Sequence, residues 1–379
     1  MTQLTFISDG RIHILDPTAN STRPLNCLVA DTYREREREI RLKKEWKQRG
    51  TGAMFTGAYM PDAPSLDIRL PITGLAQSPD QRLIYSINFE SGGGIYFKHP
   101  SPDQPEPPII ASASTHYYEL DINPSGRIAV SCAENYLERH IALLSTNDSY
   151  VQTVTEGECT DSNPTWSRKD ENILYYDSAG IGYGPGGQFS GYGPRSIYRL
   201  NIKTHELDEV VQGGAYEYSH PFEDADGNLY YIRRPYKQAS GRMSLLDVVT
   251  APFKILRAIG AWLDFFSRRY TGTALNTSGA NPAKANTKSP HQVFVDNNMF
   301  EADKAIKENA KAGDKHPGYV PQNWELIVKK PSGEETVLHK SVMSYTVTPD
   351  GIAYSNGKYV MLGGKAFEAE LASMVTPYA

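Results

Sequence analysis

Residues 163–177 read NPTWSRKDENILYYD. The stretch passes from Asn-Pro-Thr-Trp through a polar Ser-Arg-Lys-Asp-Glu-Asn turn into Ile-Leu-Tyr-Tyr. Short polar side chains tolerate the dihedrals that reverse a chain, and the branched and aromatic residues that follow suit a strand. This is a hairpin signal. The same grammar recurs in GLAQSPDQRLIYSI from Gly74, ELDINPSGRIAVSC from Glu119, HPFEDADGNLYYIRR from His220 and SYTVTPDGIAYSNG from Ser344.

Taking Ser78, Asn123, Ser167, Asp224 and Thr348 as equivalent turn positions, the spacings are 45, 44, 57 and 124 residues. The first two define a period of about 45, which matches four-stranded propeller blades. The longer spacings then contain insertions. A sixth unit is divided between the termini: LTFISDGRIHILD and the STRPLN region supply the later strands of a blade, and the tail ASMVTPYA supplies its first. Joining first and last residues in one sheet removes the free edges of the ring. The expected fold is therefore all-β, a six-bladed β-propeller of four-stranded blades spanning residues 1–379, closed by its terminal segments.

The repeats resemble the TolB-like (WD40-like, PD40) β-propeller family, whose mark is S/N-P-x-W-S-P-D-G-x-x-I-x-Y. SNPTWSRKDENILYYD, QSPDQRLIYS, NPSGRIAV and TPDGIAYS carry pieces of it. Arg168-Lys169-Asp170 departs from the Pro-Asp-Gly of the pattern. The resemblance implies the fold and says little of function, since similar repeats occur in periplasmic scaffolds, peptidase-attached domains and some lyases. No α/β-hydrolase domain follows the repeats in this sequence, so a complete prolyl-oligopeptidase is not expected.

A formal net charge of −5 gives the chain no general attraction to nucleic acid or anionic lipid. Three widely spaced cysteines, Cys27, Cys132 and Cys159, form neither a disulfide framework nor a paired zinc motif. They suit a reducing compartment. The N-terminus moves directly into alternating apolar and polar residues without a signal-peptide pattern, and the expected location is cytoplasmic.

Three insertions are expected on one face of the ring, because second-to-third-strand connections and connections between blades emerge together. In the first, residues 27–71, YREREREIRLKKEWKQR reads as a helix behind Asp31 as N-cap. Its eight basic residues are interleaved with four glutamates, which argues against nucleic-acid binding and for a solvated helix packing through Ile40, Leu42 and Trp46. The second, residues 180–194, has seven glycines among fifteen residues and carries Tyr183 and Tyr192. It lacks the Gly-Lys-Ser/Thr of a phosphate loop, so the candidates are an aromatic loop that stacks on a ligand or partner and a simple hairpin extension.

The third insertion, residues 238–321, begins with SLLDVVTAPFKILRAIGAWLDFFSRRY at 244–270. Asp247, Lys254, Arg257 and Asp264 recur through it and Pro252 interrupts it, so a membrane span is not expected. At 100° per residue its charges gather on one side, leaving an apolar half that includes Leu256, Ile259, Trp262, Leu263 and Phe266, with Phe253 beside it. That half requires cover from the propeller, a protein partner or a membrane interface. Beyond a polar linker, FEADKAIKENAKAGDK at 300–315 reads as a second helix.

For chemistry, repeat alignment makes His220 equivalent to Asn163, Glu119, Gly74 and Ser344, all assigned to the start of the innermost strands. His220 and Glu119 are the acid/base candidates and Asn163 a ligand-holding one. Two such groups do not make a metal site, and no HExxH, GxSxG or CxxC motif occurs, so neither metal nor cofactor is expected. The expected function is a non-enzymatic scaffold binding a protein through the decorated face. The alternatives are a propeller lyase or hydrolase and peripheral membrane attachment through 244–270.

Overall fold

The computed structural model describes residues 1–49, 72–99, 104–135, 137–146, 148–184, 186–236, 292–295 and 298–378. The chain divides into two compact units. The propeller comprises Met1–Asn26, Ile72–Ala239 and Pro290–Ala379, and the remainder contributes one described helix.

Strands β1 (Gln3–Ser8), β2 (Arg11–Asp16) and β3 (Ser21–Leu25) open the chain. The second blade is β4 (Ile72–Gln77), β5 (Leu83–Phe89), β6 (Gly92–Lys98) and β7 (Pro108–Ser112). The third is β8 (His116–Ile122), β9 (Arg127–Ala133), β10 (His140–Ser145) and β11 (Asp148–Thr153). The fourth is β12 (Cys159–Trp166), β13 (Ile173–Tyr183), β15 (Ser196–Asn201) and β16 (Leu207–Val211), with β14 (Phe189–Tyr192) as an extra partner of β13.

The fifth blade is β17 (Tyr216–Glu223), β18 (Leu229–Pro235), β21 (Glu325–Lys329) and β22 (Glu335–Lys340). A separate hairpin, β19 (Gln292–Val295) and β20 (Asn298–Glu301), precedes β21. The sixth is β23 (Ser344–Thr348), β24 (Gly351–Ser355), β25 (Tyr359–Leu362) and β26 (Lys365–Glu368). The last strand, β27 (Ser373–Tyr378), returns to pair with β1 in the order β27-β1-β2-β3, with Leu4 opposite Pro377. Ring closure by both termini follows the sequence expectation.

The turn positions aligned by sequence are equivalent in space. Asn123 and Asp224 each accept the backbone N–H four residues on through Oδ1, at 2.8 and 2.9 Å, and the Ser167 hydroxyl accepts from Lys169 and Asp170. Such side-chain bonds fix a tight reversal. The departure at Arg168 also has a role: its guanidinium reaches Asp121 of the third blade at 2.9 Å, and its N–H donates to Glu223 O, a bond that proline cannot make.

The core lies between blades. Each sheet buries both faces against its neighbours, so second strands are apolar on both sides, as in LIYSINF of β5 and RIAVSCA of β9. Ile84 and Ile95 pack with Tyr117 and Val130. Trp166 and Leu174 pack with Ile141, and Leu4 and Phe6 with Leu362 and Phe367.

The described helix of the second unit, α1 (Leu28–Arg49), starts earlier than the expected Tyr33. Asp31 is therefore within its first turn instead of capping it, its N–H bonded to Cys27 O and its carboxylate to Arg34. Ile40 and Leu42 are exposed, contrary to the expected packing stripe. Two residues apart, they point to different sides of a helix. Helix α2 (Ala302–Lys311) fulfils the expectation for 300–315, burying Ala302, Ala305 and Asn309. No helix among the described residues is long and apolar enough to cross a membrane. The 244–270 segment, with Phe253, Leu256, Ile259, Trp262, Leu263 and Phe266, lies outside the described residues.

Candidate functional site

β27, β4, β8, β12, β17 and β23 are the innermost strands of their blades. Ladder register slips in several of them: between Tyr117 and Leu120, Ser162 and Thr165, and Ser219 and Phe222. In the fourth and fifth blades Asn163-Pro164 stand opposite the single residue Tyr176, and His220-Pro221 opposite Tyr231. Proline has no N–H for the ladder, so a bulge is where a strand accommodates it. Asn163 and His220 take positive φ, 51° and 55°. Both residue types enter that region more readily than most.

Asn163 and His220 thus sit in mid-strand bulges and not at the strand starts, where the sequence reading had put them. Such a one-residue shift could not be read from the hydrophobic pattern, because CTDSNPTW and YEYSHPFE are largely polar and carry no clean alternation for it to interrupt. A buried carboxylate, Asp177 on β13, joins the two. Its Oδ2 accepts from Asn163 Nδ2 at 2.7 Å and from the His220 N–H at 3.0 Å, and its Oδ1 accepts from Arg195 at 2.6 Å. The His220 carbonyl accepts from the Tyr345 hydroxyl of the sixth blade at 2.7 Å, and Nδ1 lies 3.1 Å from Ser219 Oγ.

Glu119 is engaged elsewhere, 3.6 Å from Arg139, whose guanidinium covers the Tyr118 ring. Asn88 exchanges two hydrogen bonds with the Tyr117 backbone at 2.8 Å each, and Ser131 donates to Asp161 O at 2.7 Å. A polar second-strand residue of one blade thus clasps the innermost strand of the next. Sequence reasoning missed Asn88, Ser131 and Asp177 because each is embedded in an apolar strand, and only the ring brings the next blade to it.

Within residues 180–194, Ile181–Tyr183 pair with Phe189–Tyr192 as a hairpin. β13 runs eleven residues, and beyond Gly180 it pairs with β14. Tyr183 and Phe189 are 41% and 43% exposed. Phe189 meets Tyr192 edge-on at 5.0 Å, Tyr192 donates to Leu137 O at 3.5 Å, and its own carbonyl accepts from Tyr236 at 2.6 Å. The base is anchored while the tip is open.

A further cluster unites His140 with Cys159 and Asp161, one ligand-type atom of each lying within 4.8 Å of the others. A parallel bridge aligns Arg139 with Thr160: Arg139 N donates to Cys159 O at 3.2 Å, and Asp161 N to Arg139 O at 3.0 Å. Cys159 and Asp161, two apart on β12, share a face. Burial pushes the Cys159 thiol up to about 12, with the Asp161 charge adding to it, and burial also raises the Asp161 carboxyl. In sequence the C-x-D pair stands nineteen residues from His140, so no spacing rule flags it.

Six antiparallel four-stranded sheets in a ring closed by both termini define the class, a six-bladed β-propeller. No protein-family model and no curated protein matches the chain. Among solved structures it is similar to TolB from Acinetobacter baumannii, at 11% identity and a TM-score of 0.50, covering 99% of this chain and 66% of that one. The chain thus spans slightly under two thirds of the TolB length. Oligogalacturonate lyase in complex with manganese aligns at 12% identity over 62% of this chain and 56% of its own, TM-score 0.37. A putative TolB from Agrobacterium tumefaciens aligns at 12% over 64% and 80%, TM-score 0.29. At these identities the likeness is one of fold, and the expected TolB-like resemblance holds at that level.

Proposed function

We propose that the chain is a non-catalytic cytoplasmic propeller that holds a protein partner on the rim bearing the β13–β14 hairpin. The observation that supports this most is the hairpin itself, an anchored base with Tyr183 and Phe189 held open to solvent. Aromatic side chains on a short Gly/Ser-rich element supply large contact area at low entropic cost. The antiparallel order of the blades supports grouping the insertions 27–71 and 238–321 with this hairpin, since connections from a second to a third strand and from one blade to the next leave an up-and-down blade at the same edge. The apolar half of 244–270, with Phe253, Leu256, Ile259, Trp262, Leu263 and Phe266, is proposed as a second contact. No disulfide links the three cysteines, which accords with a reducing compartment.

The enzymatic alternative receives less support. The Asn163 amide is bonded to Asp177, and Glu119 faces Arg139, so two of its three candidate groups serve the ring. Quantitative co-purification tests the proposal. Tyr183→Ser with Phe189→Ser should preserve the circular-dichroism spectrum and reduce partner recovery at least tenfold, and deletion of 238–315 should abolish it. Undiminished recovery with both variants would overturn the reading. Liposome flotation abolished by the deletion would replace it with membrane attachment.

A further inference from the structure

His140, Cys159 and Asp161 meet where the third blade abuts the fourth. The Nδ1 of His140 is shielded from solvent and has no hydrogen-bond partner among the described residues, although it lies 3.9 Å from Asp161 Oδ2. A buried imidazole nitrogen left in that state is costly. Asp161 is 2% exposed; its Oδ2 accepts from the Thr155 hydroxyl at 2.5 Å, and Thr155 Oγ1 in turn accepts from Ile141 N at 2.8 Å. The cluster is therefore oriented from both blades: the Arg139–Thr160 bridge fixes the backbones and Thr155 fixes the carboxylate. An activated cysteine nucleophile is a poor account of it, because nucleophilic cysteines need a depressed pKa and burial here raises the thiol.

We propose that His140 Nδ1, Cys159 Sγ and an Asp161 carboxylate oxygen bind a zinc ion that ties the third blade to the fourth. Thiolate, imidazole and carboxylate are the donor types zinc takes. Zinc bonds of about 2.0–2.3 Å at tetrahedral angles put neighbouring donors about 3.3–3.6 Å apart. The present 3.9 Å between His140 and Asp161, and at most 4.8 Å within the cluster, are somewhat wider than that, so binding would draw the three side chains together. On binding, the zinc–sulfur bond replaces the S–H bond and the thiol proton leaves to solvent. Thiolate and carboxylate then balance the two positive charges, and neutral His140 completes three protein ligands. The fourth position is left to water. The thiol is partly exposed, which gives the ion a way in.

Zinc is titrated into the reduced, untagged full-length chain, stripped with EDTA, against a chromophoric chelator, with cobalt as a spectroscopic stand-in. One zinc per chain is expected, with a sulfur-to-cobalt charge-transfer band, protection of Cys159 from alkylation and a raised Tm. Cys159→Ser or Asp161→Asn should weaken binding about a hundredfold, and Cys27→Ser, outside the third and fourth blades, should leave it unchanged. Absence of stoichiometric zinc binding, a cobalt complex without the thiolate band, or full affinity in Cys159→Ser would each overturn the proposal. The spectrum and the alkylation footprint are read on the wild-type chain and do not depend on a variant folding.

Discussion

Asp177 accepts hydrogen bonds from three segments: the Asn163 side chain, the His220 backbone and the Arg195 guanidinium. The carboxylate is fully buried, and the Arg195 side chain is 14% exposed. Replacing Asp177 with alanine removes the carboxylate from a largely buried ion pair, while Arg195 keeps its bond to Thr160 O at 3.3 Å, a loss of about 3–5 kcal/mol. It also frees the His220 N–H in its left-handed bulge. Urea unfolding of Asp177→Ala should show a lowered midpoint of that order. Asn163→Ala, which removes one donor to the carboxylate and puts alanine at a positive φ, should cost less, about 2 kcal/mol. Equal effects from the two would refute the assignment of Asp177 as the organising group.

At the scale of elements, the register between blades is set by close backbone approach as much as by apolar packing. Gly74 on β4 illustrates it: a Cβ there would stand 2.2 Å from the Tyr118 carbonyl oxygen and 2.6 Å from Ser86 Oγ. Ser86 itself donates to that carbonyl at 2.7 Å, so the neighbour cannot retreat without breaking the clasp. Gly74→Val should therefore destabilise the fold by about 1–3 kcal/mol through overpacking. Thermal unfolding checks it, and an unchanged Tm would mean that the second and third blades separate easily. The sequence alignment had grouped Gly74 with His220 by position along the repeat. At Gly74 the requirement is space for a neighbouring carbonyl, whereas at His220 it is a left-handed backbone.

For the whole molecule, closure depends on β27. It lends the first blade its innermost strand, and Thr2 adds bonds from its N–H and hydroxyl to Asp350 of the sixth blade. Removing residues 373–379 would leave β1 with an unpaired edge, which invites pairing with other chains. The truncated protein should melt at lower temperature and show larger species by size-exclusion chromatography. The synthetic peptide ASMVTPYA should restore part of the lost stability. A truncated chain that remains monomeric with an unchanged Tm would show that the ring does not rely on this strand.

The sequence by itself determined the number of blades, the hairpin turns and the shared terminal blade. Those features are local: a turn needs Asp, Ser, Asn or Gly at set offsets, and a strand buried on both faces needs a continuous apolar run such as Ile173–Tyr176. It also picked out His220 and Asn163, though without their bulges. Only the tertiary structure decided what these residues touch. Asp177 lies between them, Glu119 turns to Arg139, and His140 meets Cys159 and Asp161 across two blades. The physical reason is that a blade's side chains act on the next blade, so their partners stand tens of residues away, where no periodicity along the chain records the contact.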